Sequence, residues 1–210
     1  MNRRLLLTSM AVMAASPVLA QNNSGQAPAP ANNAPNASQA NLSPAREKHI
    51  KDTLTVGSLS LMLSRIALTK VNFARLKRFA EFEIAEQQIA ADILQAILTN
   101  AAPNGSIPTP SDAEVMQNLD EAGKAAVQKL RDTRAGTAFD REYIRQEIEG
   151  HQKLLVIQET FLKAPENLDE TNFAKMAQTM IHEHLTLLDG MQKLGAQAQT
   201  KGQAANKAAP

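Results

Sequence analysis

No cysteine occurs among the 210 residues, so a disulfide, a thiolate zinc site, an iron–sulfur cluster and a cysteine nucleophile are all excluded. Tryptophan is missing too, and one Tyr and six Phe make up the aromatic complement. With β-branched residues also scarce, a β-sandwich or barrel is disfavoured. A formal charge of +1 supplies no basic field for nucleic acid. No phosphate-cradling glycine loop and no Gly-x-Ser-x-Gly elbow occurs. No catalytic residue can be named, because no nucleophile stands beside a recognisable base. The residues that dominate are Ala, Leu, Gln, Glu, Lys and Met, which favour helix.

The chain divides by composition. Met1-Asn2-Arg3-Arg4 is a short positive segment, Leu5 to Ala15 is apolar, and Ser16-Pro17-Val18-Leu19-Ala20 ends in small residues. That layout predicts a secretory signal peptide over 1–20, cleaved after Ala20. Arg3-Arg4 leaves twin-arginine export open beside the general route. The apolar run is too short to span a bilayer, and no later stretch of about 18 apolar residues follows. Without the first 20 residues the balance is 20 basic against 21 acidic residues. Residues 21–44 carry four prolines and no charge, which predicts a disordered Ala/Asn/Pro-rich linker. Residues 196–210 hold no large apolar side chain and read as a frayed, solvated tail. The ordered body is then about residues 45–195, the size of one domain.

Apolar residues in the body recur at helical spacing. Helices are expected over about Arg46–Asn72, Ala74–Thr99, Ser111–Asp132, Phe139–Lys163 and Asp169–Leu194. The short gap near Asn72 makes either a tight hairpin or a kink. Three prolines and a glycine within Asn100–Pro110 make a loop, and Pro165 stops a helix. Ser111 with Glu114, and Asn167 with Glu170, have capping-box spacing. The expected core stripe of the second helix is Phe79, Phe82, Glu86, Ile89, Ala90, Ile93 and Ile97. That of the last is Phe173, Met176, Met180, His184, Leu187, Met191 and Leu194, its methionines serving as core filler. The pattern predicts an all-α fold, an antiparallel four-helix bundle with one broken helix.

Some polar residues fall on inward faces. His184 lies on the last stripe, whereas His182 faces elsewhere around the axis. His151 lies on its own helix's stripe, and Glu147, one turn earlier, can touch it. Glu83 and Glu86 flank the edge of the second stripe. Glu86, Glu147, His151 and His184 are therefore expected to meet inside the bundle. A buried carboxylate is costly unless paired or coordinated. The cluster is either a hydrogen-bonded polar layer or a Zn, Fe or Mn site. The Glu-x-x-His motif of di-iron bundles is absent, since Arg46, Ile148, Thr179 and Ile181 stand three before the histidines. Tyr143 is expected to pack with its hydroxyl at an edge, and Asp140 and Glu142 to form an acidic first turn.

Three segments carry a family resemblance: Leu76 to Gln87 within Val71–Gln88, Gly136 to Ile144 followed by His151, and His184-Leu185 within Ile181–Leu194. Together they resemble an exported bacterial family, the domain of unknown function 4142, also labelled a predicted outer membrane protein. The resemblance covers the body and implies a ferritin-like bundle outside the cytoplasm with no established activity. His151 and His184 match the family's histidine positions. Many members have Asp-His where this chain has Glu86-Gln87, so one candidate ligand is absent here. The expected function is that of a periplasmic or secreted, non-enzymatic envelope protein, binding an envelope partner or associated with stress. The alternative is a metal-binding or redox bundle using the interior His/Glu cluster.

Overall fold

Ser43 accepts a hydrogen bond from the Arg46 amide, and Pro44 follows it at the first helical position, where a missing N–H costs nothing. These two residues start α1, Pro44–Lys70, two residues before the expected Arg46. The computed structural model describes residues 42–102 and 104–207, with side chains up to 197 and at 200. The expected signal peptide and all but the last residues of the linker lie outside them.

Six helices and no strand occur among the described residues: α1, α2 (Ala74–Thr99), α3 (Asp112–Gln117), α4 (Glu121–Asp132), α5 (Thr137–Leu162) and α6 (Leu168–Lys207). The all-helical expectation holds. The gap at residues 71–73 is a hairpin, because α2 folds back along α1. The helix expected from Ser111 to Asp132 is two. Ser111 and Glu114 form the capping box of α3, and the Asp120 carboxylate then accepts from the Gly123 amide and caps α4. A second N-cap inside an apparently continuous pattern is what divides it. Gly136, at φ +124, turns the chain from α4 into α5, a conformation L side chains rarely adopt. α6 continues to Lys207, well past Leu194, so the expected frayed tail is helical over most of its length. Ala, Gln and Lys propagate a helix already nucleated by packing.

α1 packs on α2 and α5, and α6 packs on α5 and, sparsely, on α2. The short α3 and α4 lie across α1. This makes α1 the central element, buried nearly all round between Ser58 and Ala67. At Gly57 the Gln87 side chain of α2 lies over the helix, where a Cβ would stand 2.4 Å from its Oε1. The main apolar core joins Leu61, Met62, Leu76, Phe79, Phe139 and Leu188. Each such side chain contributes about 1.5–3 kcal/mol by leaving water.

The inward faces differ from those expected. On α2, Leu76, Phe79, Ala80 and Glu83 are buried, while Phe82 is 55% and Ile89 40% exposed. On α6, Glu170, Ala174, Ile181, His184, Leu188 and Met191 point inward, while Met176 is 67% and Leu187 48% exposed. Met176 is therefore not core filler, and Leu194 is not on the buried stripe.

Candidate metal centre

α1, α2, α5 and α6 each send polar side chains to one level of the interior. The Glu83 carboxylate of α2 is fully buried at its centre. Its Oε2 lies 3.0 Å from His184 Nδ1 and 3.4 Å from His151 Nε2, and the two ring nitrogens lie 2.9 Å apart. One carboxylate oxygen and two ring nitrogens thus converge within a small triangle. The Glu83 Oε2 nevertheless has no directed hydrogen bond, because the ring N–H vectors do not point along those short lines. The imidazole contact also needs a lone pair on one ring, since two N–H groups would repel at that distance.

The far side of each ring is anchored. His151 Nδ1 donates to the Glu147 backbone carbonyl over 2.8 Å, which leaves Nε2 facing Glu83. His184 Nε2 lies 2.9 Å from the Glu86 Oε2. Burial alone would depress the His184 imidazole, but Glu83 and Glu86 against its two nitrogens push it up to about 10. Glu83 itself would be raised by burial, yet the two histidines hold it well below the usual carboxylate range. Burial lowers and the Glu83 charge raises His151, with a net upward shift.

Behind this triangle runs a hydrogen-bond chain on hydroxyls of α1. Ser60 Oγ stands 2.7 Å from Glu83 Oε1 and 2.5 Å from Glu147 Oε2. A hydroxyl has one proton and cannot donate to two carboxylates. Glu147 is pushed up to about 8 by burial and by the Glu83 charge. Protonated Glu147 therefore donates to Ser60, and Ser60 donates to Glu83. Tyr143 is buried, with its hydroxyl 2.7 Å from Ser64 Oγ, not at an edge as expected. Gln87 Nε2 donates to Glu83 Oε1 over 2.8 Å and so supports the centre from one turn along α2.

All four expected residues, Glu86, Glu147, His151 and His184, come together. Glu83 was the residue missed. Its signal was present, one turn after Phe79 and beside Glu86, but it disappears when Phe82 is placed in the core. Asp140 lies in the first turn of α5 as expected, with its carboxyl raised by burial. Glu142 is drawn down to about 2 by Arg145 and Lys129 and serves as an ion-pair partner.

A second polar group, unforeseen in the sequence, joins α1, α5 and α6. His49 Nδ1 and Nε2 lie 2.8 Å from Glu170 Oε1 and from Gln158 Oε1, and the ring stacks on Phe161. Arg46 Nε donates to Glu170 Oε2 over 2.6 Å. The Asn167 side chain caps the Glu170 amide, but the Glu170 carboxylate turns inward to His49, so the second expected capping box is only half formed. Every carboxylate and ring of this group has a partner, whereas the Glu83 centre holds two of the buried oxygens without one among the described residues, Glu83 Oε2 and Glu86 Oε2; Asp140 Oδ1 and Gln146 Oε1 are the others.

An all-helical domain enclosing a carboxylate between two anchored imidazoles is thus the class that fold and site define. Residues 31–191 match the family described as Domain of unknown function (DUF4142), and the chain belongs to that family. The search of curated proteins and that of solved structures returned no match.

Proposed function

We propose that this is an exported, ferritin-like four-helix bundle that holds one divalent first-row metal ion on Glu83, His151 and His184. Of the two functions expected from the sequence, the geometry favours metal binding over non-enzymatic envelope binding. The observation that carries the reading is the convergence of three donor atoms, two ring nitrogens and a buried carboxylate oxygen with no hydrogen-bond partner. An ion bound at about 2.0–2.1 Å keeps its donors about 2.9 Å apart at octahedral angles and about 3.4 Å apart at tetrahedral ones. The triangle here has edges of 2.9, 3.0 and 3.4 Å.

The surroundings support the same reading. A ligating histidine characteristically bonds its other nitrogen to a carbonyl or carboxylate, which fixes the tautomer. Glu147's backbone does this for His151, and Glu86 for His184. Two histidines and one carboxylate suit Zn(II), Fe(II) or Mn(II) and leave coordination positions free. α1, α2, α5 and α6 would form the bundle proper, with α3 and α4 as the broken segment on its flank. Export rests on the composition of residues 1–20 and places the domain in the periplasm or outside the cell.

The metal-stripped chain, titrated with Zn(II), Mn(II) and anaerobic Fe(II) and followed by calorimetry, should take up one equivalent. Glu83→Gln and His151→Ala should each weaken uptake at least 100-fold. Absence of stoichiometric uptake, or uptake unchanged in Glu83→Gln, overturns the reading. N-terminal sequencing of the protein from fractionated cells tests export, which requires a chain beginning at Gln21 outside the cytoplasm.

A further inference from the structure

A cleft opens between α2 and α6 and reaches the proposed metal site at one end. It is a cavity of about 250 Å³. Its walls are Ile89, Ala90 and Ile93 from α2 and Met176, Met180 and Ile181 from α6. Leu154, Gln158 and Thr53 lie along its floor, and Glu86, His151 and His184 close one end. These walls include the large apolar side chains that α2 and α6 leave half exposed instead of turning into the core. A surface that forgoes that much burial is characteristic of a binding site.

Charge narrows the occupant. The lining contains the carboxylates of Glu86 and Asp169 and neither Lys nor Arg. The two imidazoles are each faced by a carboxylate, Glu83 against both and Glu86 against His184. The Glu86 Oε2 faces His184 Nε2 at 2.9 Å, and a carboxylate has lone pairs beyond that one contact, so acceptor capacity remains where the apolar walls end. A free carboxylate-bearing ligand would meet Glu86 with like charge, whereas an N–H donor would satisfy it. A cavity of about 150 Å³ lined by Leu, Ile and Phe suffices for benzene. The present one is larger, at about 250 Å³.

We propose that the α2–α6 cleft binds a small primary amine, an alkyl- or arylalkyl-ammonium, with its chain between Ile93 and Met180 and its head on Glu86. The inference does not depend on the metal reading, because the cavity and its lining exist without an ion.

The test uses the full chain stripped of metal, titrated calorimetrically with hexylammonium, 1-hexanol and hexanoate. Hexylammonium should bind at least tenfold more tightly than hexanol, and hexanoate more weakly than either. Ile93→Trp, which fills the cleft from a half-exposed position, should abolish binding of all three while helicity by circular dichroism stays unchanged. Glu86→Gln should remove the tenfold preference for the amine and leave hexanol binding as it was. No binding of hexylammonium, equal or tighter binding of hexanoate, or binding that survives Ile93→Trp overturns the proposal. Hexanol titrated into Glu83→Gln, where metal uptake is lost, should bind as it does to the parent chain because the apolar walls are unchanged, so failure of either reading is separately visible.

Discussion

A single serine hydroxyl between two carboxylates sets the proton inventory of the interior. Ser60 has one hydrogen for Glu83 and Glu147, so Glu147 holds its own proton and Glu83 carries the charge. The consequence for the metal-free protein has a definite sign. A carboxyl whose folded-state value is raised from 4.5 to about 8 stays protonated in the folded chain after the unfolded chain has released its proton. Folding stability from this group is therefore fully present at low pH and is lost as pH rises between those values. Glu147→Gln keeps a hydrogen-bonding group of the same shape and removes the proton. Chemical denaturation at pH 5 and pH 8 should show the parent losing stability across that interval, and Glu147→Gln losing less. An unchanged slope would mean that Glu147 is ionised in the fold. Glu83 acts oppositely, since its lowered value gives stability that disappears only as pH falls below the ordinary carboxylate range. His184, raised to about 10, contributes stability present below about 6.5 and lost as pH climbs through 10.

At the scale of a helix, the informative error concerns phase. On α6 the neighbours Leu187 and Leu188 lie on different faces, 48% and 0% exposed. Leu188→Ala should cost about 2–5 kcal/mol by leaving a cavity in the main core. Leu187→Lys should change stability by no more than about 0.5 kcal/mol. Equal costs in urea unfolding would reinstate the stripe expected from the sequence. Helix limits were legible where their causes are local: the Ser111–Glu114 box, the prolines around the 100–110 loop and Pro165 each act within one turn, whereas Pro44 read as linker and instead opens α1. The division at Asp120 was missed because its cap sits inside a sequence that otherwise repeats at helical period. Face assignment failed on α2 and α6 for a different reason. It assumes that apolar residues point inward, and these two helices invert that rule on either side of the cleft. Glu83, Glu170 and His184 are buried, whereas Phe82, Ile89, Met176 and Leu187 remain exposed. His151, Glu147 and His184 were still found, because they lie among Tyr143, Leu154, Ile181 and Leu188, where apolar neighbours mark the inward side correctly. Glu83 was displaced by Phe82 in the assumed core, whereas His49 needed tertiary information, since its partners lie on other helices far along the chain.

For the molecule as a whole, two polar groups differ in how fully their hydrogen bonds are made, and the metal proposal separates them by experiment. The His49–Glu170 group ties the start of α1 to the start of α6 and, through Gln158, to α5. All its members are hydrogen-bonded, and removing one partner leaves the others buried and unsatisfied. Glu170→Ala should therefore destabilise the domain by about 3–5 kcal/mol, because both Arg46 and His49 lose their carboxylate. It should not alter metal uptake by the chain that remains folded, since none of its atoms faces Glu83. The Glu83 group behaves the other way. Its donors are held together without a full set of hydrogen bonds, a cost that an ion would relieve. Metal at 100 times its dissociation constant should stabilise the parent by about 2.7 kcal/mol, by mass action on the folded state alone. Thermal unfolding with and without metal should show that increment in the parent and in Glu170→Ala, and lose it in Glu83→Gln. Since binding displaces protons from the donors, the increment should also grow as pH is raised from 6 to 8, where the metal-free protein itself becomes less stable. An increment that shrinks with pH would indicate adventitious surface binding or a site made of other groups.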